Sequence, residues 1–175
     1  MVKELLKETD PFLKEKTIEF DFENPPIDPE KLKYEIKETL EHHNALGLAA
    51  NQIGYPYSVF GMRMFKGHND SHFVMCFNPE IQDVYEEYEL QKEGCLSFPD
   101  LYIDISRPKG TTSLWRDEKN NVQAGILTNI NARIFLHEFD HTNGIVFTEK
   151  ASTIRLSQAN KKRKIYYRQQ KKGKI

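Results

Sequence analysis

Residues 137–141 read His137-Glu138-Phe139-Asp140-His141, and the residues before them favour a helix. Residues four apart on a helix lie one above the other. The two imidazoles therefore face one point, with Glu138 between them. This H-E-x-x-H spacing suits a divalent metal held by two histidines beside a carboxylate that can work on a bound water. A helix is predicted from about Thr128, which suits the N-cap, to Asn143, with Gly144 as the stop.

The motif does not name a reaction until a third ligand is found. One layout extends it to H-E-x-x-H-x-x-G-x-x-H. Here Gly144 is in place, but Phe147 stands where the last histidine is needed. Another layout takes a carboxylate from downstream. The last acidic residue of the chain is Glu149, eight positions after His141 and too near the helix end to reach back. The third ligand is therefore expected upstream, where His42, His43, His68, His72, Cys76 and Cys95 are available. Cys95 follows Gly94, and a glycine lets the backbone come close to an ion. Cys76, within Phe73–Phe77, reads as a buried structural thiol.

At 175 residues the chain is about one domain, large enough for a real core. No apolar run approaches the ~20 residues that span a membrane. The first residues, MVKELLKE, are polar and hold two acids, unlike a signal or transit peptide. The cytoplasm of a bacterium, or of a phage-infected cell, is the expected compartment, and a thiolate ligand agrees with its reducing conditions. A monomer is the expected state. The net charge of −1 hides an asymmetry. Residues 1–154 hold 16 Lys+Arg and 26 Asp+Glu, a charge of −10, while residues 155–175 hold 9 Lys+Arg and no acid. A tail so polarised suits a polyanion such as ribosomal RNA; a solvated, partly disordered terminus is the plainer expectation.

Asn24-Pro25-Pro26-Ile27-Asp28-Pro29 is a stiff lead into a first helix, capped by Asp28, in which Leu32, Ile36 and Leu40 form one apolar face. Strands are expected at 58–64, 72–77, 81–90 and 102–105. Residues 117–121 read as a hairpin turn between strands 111–115 and 122–126. The tail from about Leu156 reads as a last helix. The expected fold is α+β: mostly antiparallel strands around a central helix that carries the metal motif. Residues 1–154 are expected to form the catalytic domain, with 155–175 as a basic tail or short helix of the same domain.

The segments Gly47-Leu48-Ala49-Ala50-Asn51-Gln52, Glu93-Gly94-Cys95-Leu96-Ser97 and His137–His141 resemble, in order and interval, the three motifs of the peptide deformylases. The opening Thr9-Asp10-Pro11-Phe12-Leu13 is similar to that family's N-terminal segment. The resemblance covers roughly residues 5–150. It departs at Ala45, where the family usually has glycine, and at Leu136, where it usually has glutamine. Leu136 is expected to remove a polar group near the site.

The resemblance implies a metal-dependent hydrolase that removes the formyl group from N-formylmethionyl peptides and releases formate. Cys95, His137 and His141 become the metal ligands and leave a position for water, whose pKa a metal lowers towards ~7. Glu138 becomes the proton carrier, and the Gln52 amide with the Leu96 backbone N–H becomes the pair of donors for the oxyanion. Gly47 and Gly94 are expected beside the substrate backbone, and Leu46, Ile130 and Ile134 around the methionine side chain. Ferrous iron is the implied ion; zinc, nickel and cobalt also suit the donor set. Asp140 is a candidate to orient a ligand histidine, with Arg107 as an ion-pair partner. A non-catalytic module stabilised by metal and, less favoured, a metalloendopeptidase are the rival readings.

Overall fold

The computed structural model describes residues 1–67 and 70–173; His68 lies outside them. Helix α1 spans Pro29–His42. The Asp28 carboxylate accepts the Glu30 N–H at 3.0 Å, and Pro29 fills the first turn, where no backbone donor is needed. Leu32, Ile36 and Leu40 are fully buried, as their spacing requires. They pack on Leu48, Val59, Met75 and Phe77.

The strands are β1 (Gly47–Ala49), β2 (Val59–Phe65), β3 (Ser71–Val84), β4 (Tyr88–Cys95), β5 (Phe98–Pro108), β6 (Gly110–Arg116) and β7 (Val122–Thr128). Five of them form an antiparallel sheet in the order β1-β2-β3-β6-β7, and β4 pairs with β5 as a separate antiparallel hairpin. Helix α2 (Asn129–Thr142) touches β1, β2, β6 and β7 of the sheet and β5 of the hairpin. It is the central helix that the sequence predicts, and it carries His137–His141. Helix α3 (Thr153–Lys171) lies against β5.

Several boundaries differ from the sequence reading. The segments 72–77 and 81–84 are one strand, β3, which continues through Asn78-Pro79 by an irregularity between Phe77 and Glu80. A proline, having no N–H, is tolerated at such a bulge. Asn78 takes a left-handed backbone there, and its side chain both donates to the Phe20 carbonyl and accepts the Phe20 N–H. The expected strand 81–90 is in fact the end of β3, a break at 85–87 and the start of β4. β1 was not legible at all. The 117–121 turn is as expected, with Asp117 Oδ1 accepting the N–H groups of Lys119 and Asn121. Thr128 occupies the N-cap of α2, but its side chain makes no capping bond. α3 starts at Thr153 instead of Leu156, since Ser152 caps it by accepting the Arg155 N–H, and it runs on to Lys171 as a long helix.

Phe135 shows how α2 is anchored. It is fully buried, edge-on to Phe60 at 5.2 Å between ring centres and tilted against Trp115 at 5.9 Å. Phe135→Ala is expected to cost about 3–5 kcal/mol through lost transfer energy and the cavity left behind, read as a lower denaturation midpoint.

Candidate metal centre

His137, Glu138 and His141 come from the buried face of α2. Cys95 ends β4, where the pairing with β5 shifts register between Gly94 and Cys95. That irregularity brings the sulfur against the helix. Cys95 Sγ lies 3.3 Å from His141 Nε2, and one donor atom from each of Cys95, His137 and His141 falls within 4.8 Å of the others. Among the described residues these three form the one cluster of this kind. The other upstream candidates stand outside this cluster, although His43 lines the same cavity. His42 and His43 stack edge-to-face at the end of α1, His72 on β3 pairs with Met64 of β2, and Cys76 is buried in the core beside Phe60 and Phe135. Burial pushes the Cys76 thiol well up, as befits a structural residue.

The ring of His137 is held by Glu93, not by Asp140. His137 Nδ1 donates to Glu93 Oε2 at 3.1 Å, which leaves Nε2 for a cation. Asp140 instead accepts Arg107 Nη1 at 2.8 Å and faces Lys150 at 3.2 Å. The expected Arg107 pair exists and is doubled. Its Nε and Nη2 donate to the two Glu93 oxygens at 2.7 and 3.0 Å. Arg133 Nη1 adds a fourth donor to Glu93 at 2.5 Å. Both residues that the sequence reading passed over carried a signal. Glu93 is two positions from Cys95 on a strand and so shares its face. Arg133 is four before His137 on a helix and so lies directly above it.

The electrostatics suit a cation. Burial alone would raise the Glu93 carboxyl, but His137 and Arg107 outweigh it and hold it down to about 2. Burial works against a proton on His137, yet the Cys95 sulfur and Glu93 outweigh that and raise it to about 10. The pocket thus stabilises positive charge at His137. Burial pushes His141 well below its usual range, and the neighbouring charges of His137 and Arg107 add to it, so this imidazole is neutral and can act as a ligand. Burial also lifts Glu138 to about 7. Glu138 Oε2 and His141 Nδ1 are buried with no hydrogen-bond partner. A carboxylate oxygen in that position is costly unless a ligand or water meets it. A thiolate, two imidazoles and a carboxylate that orients one of them fit zinc, ferrous iron, nickel or cobalt.

Around the donors the chain builds a cavity of ≈ 680 Å³. Gln52, Gly94, Cys95, Leu96, His137 and Glu138 line it, and so do Leu46, Gly47, Ile130 and Ile134. His141 does not. Gln52 sits in a one-turn helix, Ala50–Ile53, after β1. Its Oε1 accepts the Ala49 N–H at 2.9 Å, so its Nε2 faces Cys95 Sγ at 3.3 Å and Ser97 Oγ at 3.2 Å. Gly47 has a reason beyond access for substrate, because a Cβ there would stand 2.3 Å from Glu138 Oε1. Leu136 is buried and is not among the cavity's lining residues, so no polar group is lost from the wall; Ala45 is on the wall.

The polypeptide deformylase family model matches residues 2–157. The chain belongs to that family. A peptide deformylase of Thermotoga petrophila is 36% identical over 123 residues, which are 70% of this chain and 72% of that protein. The crystal structure of a peptide deformylase from Ehrlichia chaffeensis superimposes with a TM-score of 0.81 at 27% identity, covering 97% of this chain and 99% of that one. A class I type b peptide deformylase from Acinetobacter baumannii with Met-Ala-Ser bound gives 0.78 at 26% identity, over 86% and 98% of the two chains.

Glu93→Gln keeps the shape of the side chain but removes the charge shared by two buried arginines. It should cost about 3–5 kcal/mol of stability, as breaking a buried ion pair does. It should also weaken metal binding about 10–100-fold through the loosened His137, measured by competition with a chelator.

Proposed function

We propose that the chain hydrolyses the N-formyl group of N-formylmethionyl nascent peptides, releasing formate and a free amino terminus. The observation that carries this reading is the meeting of Cys95, His137 and His141 at a cavity that Glu138, its Oε2 unpartnered, and a fixed Gln52 amide also line. In this reading Cys95, His137 and His141 hold one divalent cation, with ferrous iron as the working ion. That cation supplies a water acidified towards neutrality.

The chain's own residues do the rest. Glu138 takes the proton from the water as its oxygen attacks the formyl carbon, and delivers a proton to the amine nitrogen as the C–N bond breaks. A carboxyl whose pKa is lifted to about 7 can do both near neutrality. The Gln52 Nε2 group and the Leu96 N–H donate to the developing oxyanion, each worth on the order of 3 kcal/mol. The Ala49 N–H holds Gln52 in the orientation this requires. Leu46, Ile130 and Ile134 receive the methionine side chain, and Gly47 and Gly94 border the peptide backbone. Residues 1–154 act as the catalytic domain, and residues 155–175 as its basic extension.

The rival readings find little support. A metalloendopeptidase of the extended motif needs a histidine at 147, where the Phe147 ring is buried against Phe98 at 5.4 Å. A module that keeps metal for folding alone has no use for an amide held at the cavity wall. No helix among the described residues is long and apolar enough to cross a membrane. The cytoplasm, where formylated chains are made, is the compartment this reading implies.

Glu138→Gln should leave the chain folded with one metal bound and lower formate release from formyl-Met-Ala by about 10²–10⁴-fold. The assay uses anaerobically prepared, iron-loaded protein. Loss of metal along with activity would move Glu138 from proton transfer to ligation.

The exposed face of α3 also supports contact with ribosomal RNA near the emerging chain. Lys161, Lys164, Arg168 and Lys171 are exposed, and the helix holds no acid. Changing these four to glutamine should weaken binding to ribosomes and flatten its dependence on salt, with the log–log slope falling by about 0.7–0.9 for each phosphate that is no longer neutralised. Equal binding at low salt would remove the ribosome from this proposal.

A further inference from the structure

A second cleft adjoins the metal centre. It has a volume of ≈ 450 Å³ and lies between the β4–β5 hairpin and α3. Lys92, Asp100 and Tyr102 line both it and the catalytic cavity, so the two meet along that edge. The hairpin wall follows from strand alternation. Asp100, Tyr102 and Asp104 are exposed on β5, while Leu101, Ile103 and Ile105 point into the core. Across the ladder, Gly94 pairs with Tyr102 and Lys92 with Asp104. The Tyr102 ring lies over Gly94, where a Cβ would be 2.8 Å from it. Moving along this face from Gly94 to Lys92 therefore leads from beside Cys95 straight into the second cleft.

The opposite wall is one stripe of α3. Arg155, Gln158, Ala159, Lys162, Arg163 and Tyr166 line it, recurring every three or four residues as one helix face must. Ala159, buried against β5's core residues, sets the helix close to the hairpin without filling the gap. Arg163 is engaged by Glu8, which its Nη1 meets at 2.7 Å. Arg155 and Lys162 are exposed and carry no ion pair among the described residues. The stripe from Arg155 to Tyr166 spans about 16 Å at the helical rise of ~1.5 Å per residue, the reach of about five extended peptide residues.

We propose that this cleft binds the downstream segment of the formylated peptide, the residues after the first two, and prefers acidic side chains there. The occupant follows from continuity. A peptide whose formyl end sits at the metal centre must leave the catalytic cavity, and the path over Tyr102 opens between a hairpin and a cationic helix face. The charge preference follows from the lining, where Lys92, Arg155 and Lys162 stand against Asp100 and Asp104, while Arg163 is engaged by Glu8. The inference rests on the deformylase reading of the metal centre.

The test compares formyl-Met-Ala with formyl-Met-Ala extended by four alanines, four glutamates or four lysines, at low and high salt. The glutamate peptide should show kcat/KM about fivefold above the alanine peptide, the scale of one or two exposed ion pairs. The lysine peptide should fall below both. Arg155→Ala/Lys162→Ala should abolish the difference and leave formyl-Met-Ala unchanged. Equal rates for the three extended peptides, or a charge effect that survives the double variant, overturn the cleft. Release of formate from no peptide condemns the reading of the metal centre instead. The cleft is then judged by binding of the same labelled peptides, where the glutamate peptide must bind more tightly and lose that gain in the double variant. A double variant that loses affinity for a uridine oligonucleotide but handles all the peptides as the parent does would assign the stripe to RNA and overturn the proposal.

Discussion

The Glu93 carboxylate is the joint on which the metal centre depends. It stands on β4, and its partners stand on the two elements that must be aligned: Arg107 on β5, and Arg133 and His137 on α2. β4 brings Cys95, and α2 brings the histidines. The donor cluster therefore exists only if hairpin and helix keep one relative position, and this network fixes that position with bonds of 2.5–3.1 Å. Asp140 closes the charge balance from the far side of Arg107. Two buried guanidinium groups against two buried carboxylates make a neutral set. Burial is tolerable only for charges paired in this way, because each unpaired one would cost several kcal/mol.

The same crowding governs Glu138. Its carboxylate fills the space where a side chain at residue 47 would stand, so any larger residue there would force Glu138 to shift. The turn after β1 then presents Gln52, pinned through Ala49 N–H on one side and through the Leu6 N–H to its own carbonyl, at 2.8 Å, on the other. The N-terminal segment that supplies Leu6 is itself tied to α1 by Lys3, whose N–H reaches Thr39 Oγ1 at 2.9 Å and whose ammonium faces Glu35 at 3.4 Å. A residue far from the metal thus helps hold the amide that borders it.

What the sequence made legible was what repeats or sits at fixed spacing. The period-four apolar face of α1, the i, i+4 histidines and the Asp117 turn are local patterns, and each stands in the structure where it was read. The pairing of Cys95 with α2 needed the resemblance, because nothing local links a strand end to a helix some forty residues on. Asp140 was misjudged for a related reason. Its place three residues after His137 suggests a contact, whereas Asp140 meets Arg107 and the ring is held by Glu93. The gap between the expected strands 72–77 and 81–90 is closed by a bulge, where the Asn78 side chain bonds to Phe20 and the strand runs on through Pro79.

The tail shows why charge alone is an incomplete guide to disorder. With no acid to pair its cations, residues 155–175 suit a solvated terminus, but the tail from about Leu156 also reads as a helix, and Thr153–Lys171 are helical. Two apolar residues early in the helix, Leu156 and Ala159, join the cluster around Leu101, Ile103 and Val146, and Arg163 reaches Glu8. Helix formation is dominated by its nucleus, and here the Ser152 cap and those two apolar anchors supply it within the first two turns. Beyond Arg163 the helix extends with no buried residue at all. Its first half is therefore held against β5 by packing. In its second half Tyr167 Oη donates to the Pro99 carbonyl at 3.3 Å, and Lys164, Arg168 and Lys171 make no ion pair among the described residues.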